Sequence, residues 1–478
     1  GKVKLWTITK ASSYTEEDLK VHCSHIPWFW AKLVTYLRGG NAKVKVLPVR
    51  VVQEGLGYEN EESSKPTLRP DRILPIQSAG PLTSGAGYLS FVDPLWLKRD
   101  EKALARVSFL EQHSDGTGFV MGLWRGLRPS EEVLKQRLDK AWKGVVPSSV
   151  GTLFYTVSVW MNSGLLPVLI DYVKLFDIKV VKTLFKAAYT ERFAQLVPWG
   201  QKGNLEGLGK LAFLDEPAGK VRVVALVDVV TQSILYPLHV WIFQMLKKLP
   251  MDGTFDQGKP LDILIAKEVK EVYSYDLSSA TDRLPLVLQE HLLGWVLGEK
   301  VARLWAQLLV GRNYSVHPRT AEKRGLSQTT FQYACGQPMG AYSSWAMLAL
   351  THHFCVQLSA SRVYGKDAAW FVQYAVLGDD IVIADGAVAQ EYLKLMRSLG
   401  VEIQETKSLM SRNGSFEFAK RTVIRGMDAS PISIKGFLSG MRNLATLEGV
   451  IAKVPGIWGN KLSSILRACG YGYKALGS

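Results

Sequence analysis

The sequence predicts an α+β protein, because its strands and helices alternate without the regular rhythm of a doubly wound sheet. Three observations carry that expectation. Apolar residues recur at helical spacing over 130–142, 285–297, 341–359 and 388–399. Short apolar runs read as strands at 271–277, 374–377 and 381–384, and the last two are separated only by Gly378, Asp379 and Asp380, which predicts a hairpin with acids at its tip.

Along the chain, residues 53–87 are rich in Pro, Gly and Ser and predict a long connector or functional loop. Ser130 then precedes Val133, Leu134, Leu138 and Trp142 at helical spacing, and Asp177 opens a run carrying Lys179, Lys182, Lys186 and Arg192. The strand 271–277 carries Asp276 at its end, and Pro285 sits where the first turn of the next helix tolerates it. Gly336 and Gly340 bracket a mobile-looking turn that leads into the helix 341–359. After the hairpin, the helix 388–399 ends at Gly400, a natural left-handed cap, and 401–406 returns as a strand.

At 478 residues the chain is long enough for several connected subdomains, and 47% apolar with 21% charged residues is globular composition. A balance of 58 Lys and Arg against 43 Asp and Glu gives +15, which suits an anionic polymer or an anionic membrane surface. Cys23, Cys335, Cys355 and Cys469 are scattered without metal-ligand pairing, and the cluster His22, Cys23 and His25 lacks a second ligand pair, so ordinary packing is expected there. His352 and His353 are one helical step apart and read as packing or hydrogen-bonding residues. Trp28, Trp30, Trp142, Trp160, Trp199 and Trp345 read as core rather than as base-stacking platforms. No run reaches the roughly 18 to 20 uncharged apolar residues of a membrane span, since 151–170 is broken by Asn162, Ser163, Gly164 and Pro167. The chain opens at Gly1 with no signal or transit pattern, so no targeting segment is expected in it.

The chemistry concentrates at the hairpin tip. Two adjacent carboxylates in an apolar hairpin repel each other and lose hydration, a cost that a bound divalent cation removes, although Gly-Asp is also ordinary turn chemistry. Asp276, ending a second strand, tips the balance. Two acid-ended strands suit Mg²⁺, which takes one or two carboxylates and completes its oxygen shell with substrate phosphates. Two such ions would support in-line phosphoryl transfer. The bland alternative for Asp276 is a helix N-cap, a role that Asp282 fits better.

Residues 275–285, 335–353 and 374–385 resemble polymerase motifs A, B and C in the order and wording of mitovirus RNA-dependent RNA polymerases. Narnavirus, ourmia-like and levivirus replicases share the spacing from Asp276 to Asp282. The resemblance extends well over 210–435. It implies a right-hand fold of fingers, palm and thumb, with an antiparallel palm sheet flanked by helices. The division expected is an N-terminal extension and fingers at 1–130, fingers at 131–267, palm at 268–425 with a fingers insertion near 298–334, and thumb at 426–478.

Carried over, Asp276 and Asp379 would hold two Mg²⁺ ions, with Mn²⁺ as an alternative, Asp380 would be an auxiliary acid, and the Leu277 carbonyl a further ligand. Asp282 would meet the ribose of the incoming nucleotide, Gly336, Gln337 and Gly340 would shape the template pocket, and Ser343 or Ser344 would be available to the sugar. Leu348 stands where many positive-strand polymerases carry an Asn that reads the 2′-hydroxyl. Residues 209–224 resemble motif F, with Lys210, Lys220 and Arg222 over the triphosphate; strand alternation puts Lys220 and Arg222 on one face, and a solvated basic strand is the alternative. Lys407 resembles the motif D lysine that would protonate departing pyrophosphate, or is a surface lysine near Glu405. Residues 416–421 resemble motif E, so that Lys420 and Arg421 would grip the nascent strand or end a solvated strand. The implied partners are a single-stranded RNA template, nascent RNA and rNTPs, for a monomer in a host mitochondrion. The rival functions are a reverse transcriptase and a catalytically inactive RNA-binding protein.

Overall fold

The computed structural model describes residue 3 and residues 5–37, 156–157, 159–161, 163–175, 208–216, 220–404, 407–430, 434–440 and 449–450. The loop 53–87, the helix 130–142, the basic run from Asp177, and Trp142, Trp199, Glu405 and Cys469 lie outside them. Helices mix with largely antiparallel sheets. The strands are β1 (Gly209–Asp215), β2 (Val221–Val227), β3 (Val272–Asp276), β4 (Tyr314–Ser315), β5 (Thr330–Phe331), β6 (Tyr374–Leu377), β7 (Asp380–Ile383), β8 (Leu409–Ser411), β9 (Phe416–Phe418), β10 (Arg421–Ile424) and β11 (Met427–Asp428). Two compact units divide the chain discontinuously, one comprising Gly1–Leu249, Ser278–Phe371 and Glu391–Glu402, the other Pro250–Leu277, Val372–Gln390 and Ile403–Ser478.

The first unit is built around the helix Ser344–Tyr364, which is buried along most of its length. A helix that is apolar on every side needs neighbours on every side. The helices Ile26–Leu37, Val229–Lys247 and Leu286–Leu297 supply them. Trp30 donates its indole N–H to the Leu292 carbonyl at 2.9 Å, and Phe29 meets Phe354 edge-on. Trp28, Trp30 and Trp160 are core residues as expected, whereas Trp345 is 40% exposed. His352 and His353 are buried, with His352 bonded to the Tyr392 hydroxyl at 2.6 Å, so both pack as expected. A four-stranded sheet, ordered β2-β1-β4-β5, is antiparallel except where β1 meets β4. Its inner face packs Leu211, Ala225, Tyr314 and Phe331 with Leu5 and Ile8 of the N-terminal segment.

The second unit stacks two sheets. The larger, ordered β6-β7-β3-β8, is antiparallel throughout, and the smaller runs β11-β10-β9. Phe416, Phe418 and Val423 of the smaller sheet close a core with Val272, Ala375 and Val382 of the larger and with Leu261 and Leu264 of the helix Gly258–Ala266.

Several expectations shift at the boundaries. The helix expected from 341 begins at Ser344, because Ser343 is held in a left-handed conformation (φ 71°), and it runs on to Tyr364. A short helix, Ala280–Arg283, was not foreseen, and Asp282 lies inside it rather than capping the next helix, whose N-cap position is Pro285. Of the strand expected at 401–406, the described part contributes one bridge, Ile403 to Leu277. Gly400 is left-handed (φ 71°), as a C-terminal cap requires.

Candidate active site

In the second unit the acid residues converge through strand register. Asp276 lies directly opposite Asp380 across the β3–β7 ladder. Leu377 pairs with Asp380, so the β6–β7 hairpin turns through Gly378 and Asp379 alone. A two-residue hairpin turn of this kind needs a positive φ at its first position, which Gly378 supplies at 59°. Three carboxylates therefore gather at one end of the sheet. The Gln404 N–H donates to the Asp276 carbonyl at 2.9 Å, so strand alternation directs the carbonyl of the buried Leu277 towards β7 instead.

The cluster is short of positive charge. Burial, then Asp379, Asp276 and Glu417, push the Asp380 carboxyl up to about 6, with Lys407 alone opposing. Lys407 Nζ donates to Asp276 Oδ2 at 3.0 Å while its side chain stays 55% exposed. No group of three His, Cys, Asp or Glu side chains is already arranged to hold a metal among the described residues. The repulsion at Asp380 and the Lys407 ammonium bonded to Asp276 mark an acidic surrounding that cationic charge fits.

Also in the second unit, Ala419 and Lys420 form the turn between β9 and β10, both at positive φ (52° and 65°). Lys420 is exposed, and Arg421 is ion-paired with Asp428.

The first unit holds the other expected residues. Lys210 faces Leu226 and Arg222 faces Leu214 across β1–β2, so Lys210 and Arg222 share one face of the ribbon, the one opposite the buried Leu211 and Ala225. Lys210, Lys220 and Arg222 are exposed, and Arg222 also pairs with Glu216 at 2.9 Å. The turn 336–340 is clamped rather than loose. A Cβ on Gly336 would meet the Thr281 carbonyl at 2.2 Å and the Asp282 carbonyl carbon at 2.4 Å, and one on Gly340 (φ 122°) would meet the Ala225 carbonyl at 2.5 Å. The Ala225 N–H donates to the Met339 carbonyl at 2.7 Å and the Gln337 N–H to the Thr281 carbonyl at 2.9 Å. This turn thus joins the β2 strand to the short helix carrying Asp282.

Three candidates lie beneath the surface. Gln337 is 0% exposed and donates to Gln289 and to the Ser344 carbonyl. Ser343 is equally buried, accepting from the Trp305 indole at 2.8 Å, and Ser344 is buried with a hydroxyl that has no partner among the described residues. These buried side chains support the turn. His22 bonds Ser398 and Arg362, and burial pushes it down to about 4, so the His22, Cys23 and His25 cluster is packing. Sequence reading missed Thr7, whose hydroxyl donates to Asp282 Oδ2 at 2.8 Å, and Glu417, whose charge acts on Asp380. Alternation in β9 (Phe416 in, Glu417 out, Phe418 in) could have revealed Glu417. Nothing local could have revealed Thr7.

An acidic two-residue hairpin held in register against a second acid-ended strand, with a lysine at hand, has the character of the polynucleotide polymerases. The chain belongs to the mitovirus RNA-dependent RNA polymerase family, whose model matches residues 143–467. It is 42% identical over 217 residues to the RNA-directed RNA polymerase of Cryphonectria parasitica mitovirus 1, a match covering 45% of this chain and 25% of that protein. It is also 38% and 39% identical, over 208 and 164 residues, to two uncharacterised mitochondrial proteins of Arabidopsis thaliana. Those matches cover 42% and 34% of this chain and 81% and 78% of the two proteins.

Proposed function

We propose that this chain replicates an RNA genome by template-directed transfer of nucleotides from rNTPs. The observation that carries this reading is the in-register pairing of Asp276 with Asp380 beside the Asp379 turn, in a cluster whose charge calls for cations. Under this reading Asp276 and Asp379 hold two Mg²⁺ ions, or Mn²⁺, with Asp380 as auxiliary acid and the Leu277 carbonyl as a further oxygen. When bound, these ions supply charge neutralisation at the attacking and departing oxygens. The protein's own groups do the rest. Lys210, Lys220 and Arg222 bind the triphosphate, Asp282 receives the ribose, and Lys407, already 3.0 Å from Asp276, delivers a proton to the departing pyrophosphate. Gly336 and Gly340 shape the pocket, Gln337, Ser343 and Ser344 brace it from below, and Lys420 and Arg421 hold the nascent strand.

The fold that suits this reading is a right hand, with fingers in 1–267 and about 298–334, palm in 268–425 and thumb in 426–478. Among the described residues no helix is long and apolar enough to cross a membrane. The relatives named for mitochondria and for a mitovirus support a mitochondrial setting, and a monomer suffices for the chemistry.

The test is incorporation of labelled rNTPs on a short single-stranded RNA with Mg²⁺, comparing the native chain with Asp379→Ala. Template-dependent product that falls at least a thousandfold in the variant supports the reading. Product from dNTPs in preference to rNTPs would point to reverse transcription, and RNA binding with no product from either chain would point to a binding protein. Millimolar Mg²⁺ should also raise the thermal midpoint of the native chain and not that of Asp276→Asn/Asp379→Asn.

A further inference from the structure

The N-terminal segment is fixed against the short helix Ala280–Arg283 from several directions. Leu5 and Ile8 are buried in the core of the first unit. The buried Arg283 guanidinium donates to the carbonyls of Thr7 (3.3 Å), Lys10 (2.7 Å) and Ala11 (3.1 Å), while the Ala334 N–H donates to the Ile8 carbonyl at 3.0 Å. An arginine that satisfies three carbonyls of one short stretch holds that stretch in a single conformation. Asp282 is fixed from the other side. Its N–H donates to the Ser279 carbonyl at 2.9 Å, and the absent side chain of Gly336 lets the turn 336–340 press on its backbone.

Between these two fixed pieces, Thr7 Oγ1 donates to Asp282 Oδ2 at 2.8 Å. Thr7 supplies the one side-chain hydrogen bond that Asp282 receives among the described residues. A carboxylate has two oxygens, so Oδ1 keeps its acceptor capacity. Leu348, buried and apolar on the central helix, offers no polar group for the task. Burial pushes the Asp282 carboxyl up to about 6, and the Thr7 bond opposes this by favouring the ionised form.

We propose that Thr7 is a positioning residue for ribose selection: it holds one oxygen of Asp282 so that the other accepts a hydrogen bond from a sugar hydroxyl of the incoming nucleotide. This rests on the reading of Asp282 as the ribose acceptor. It makes the N-terminal segment, far from the polymerase motifs in sequence, a determinant of substrate choice.

The experiment compares the native chain with Thr7→Val, Thr7→Ser, Asp282→Ala and the Thr7→Val/Asp282→Ala double variant. Single-nucleotide incorporation of rNTP and 2′-dNTP is measured from pH 5.5 to 8.5, with melting curves as a check on folding. Thr7→Val should cut the rNTP-over-dNTP ratio of kcat/KM about tenfold, mainly through the KM for rNTP, because a hydrogen bond to a charged group is lost. It should also move the acidic limb of the rNTP profile to higher pH. Thr7→Ser should restore both, and Thr7→Val should add nothing once Asp282 is alanine. If Asp282→Ala leaves sugar discrimination intact, the ribose reading fails and this inference with it. If Asp282→Ala abolishes discrimination but Thr7→Val keeps it, the reading stands and the inference is overturned. An equal loss with rNTP and dNTP in Thr7→Val would likewise overturn it, since that is what a purely structural role produces. Equilibrium affinities for rGTP and dGTP in Ca²⁺ give the same comparison without turnover, with the same tenfold change in their ratio expected.

Discussion

Lys407 and Asp276 form an ion pair that is half in solvent, so its worth to stability is small while its position in the acid cluster is central. Lys407→Leu should leave the thermal midpoint within about 2 °C of the native value. It should nonetheless lower nucleotide incorporation about a hundredfold and flatten its alkaline pH dependence, as the loss of a general acid does. An unchanged rate and profile would return Lys407 to the surface-lysine reading. Asp282 makes a pH prediction of the opposite kind. Its folded carboxyl titrates near 6 against an ordinary value of 3.8, so its contribution to stability is present below about 3.8 and lost as pH rises through 6. Asp282→Asn should therefore raise the midpoint by about 2 °C at pH 8 and by nothing resolvable near pH 3.5 in melting curves. The carboxylates were legible in the sequence because each ends or turns an apolar strand, and a charge at such a place has no cheap structural explanation. The burial of Gln337, Ser343 and Ser344 was not legible, because it depends on the distant Gln289 and Trp305 that bond two of them. Thr7 was invisible for the same reason, its partner lying 275 residues away.

At the scale of elements, the turn 336–340 is a joint between a strand and a short helix, and its glycines are required by contact. Gly336→Ala forces a Cβ into backbone atoms that belong to Thr281 and Asp282, which cannot swing aside as a side-chain tip can. It should cost about 1–3 kcal/mol in denaturant unfolding, the range of overpacked cores with displaced backbone, and suppress incorporation with it. Gly164→Ala is the control: nothing lies within 4 Å of the added Cβ, so stability should hold or rise slightly. The Asp228–Arg312 pair, 2.8 Å apart with both side chains 2% exposed, also joins elements, since Asp228 caps the helix Val229–Lys247 and accepts from the Trp160 indole. Arg312→Met leaves that carboxylate buried without its charge partner and should cost about 3–5 kcal/mol by chemical denaturation. The β6–β7 hairpin was readable almost to the residue because alternation and a two-residue turn fix register locally. The start of the helix at Ser344 was not, because the left-handed Ser343 answers to Trp305 and His239 rather than to its sequence neighbours.

At the scale of the whole chain, each of the two compact units is assembled from separate stretches of sequence. The stretch from Asp276 to Asp282 passes from one unit to the other at Leu277 and Ser278. A run of sequence does not record which core each of its residues belongs to, so a division that falls inside 276–282 leaves no mark in the sequence. Under the proposed function, the net charge of +15 predicts how the chain would meet RNA. Cations that neutralise phosphates release counterions, and for a single strand log K falls with log salt at a slope of about −0.7 per phosphate contact. A footprint of about five phosphates would weaken binding about a hundredfold between 50 and 200 mM salt. Fluorescence titration of a labelled single-stranded RNA should give that slope. Asp379→Ala should keep it, because removing an acid subtracts no phosphate contact, whereas reversing Lys210, Lys220 and Arg222 together to Glu should make it shallower. A slope untouched by the triple reversal would remove the β1–β2 face from the path of the nucleic acid, and binding abolished by Asp379→Ala alone would mean that the acid cluster holds RNA through bridging cations rather than serving the chemistry only.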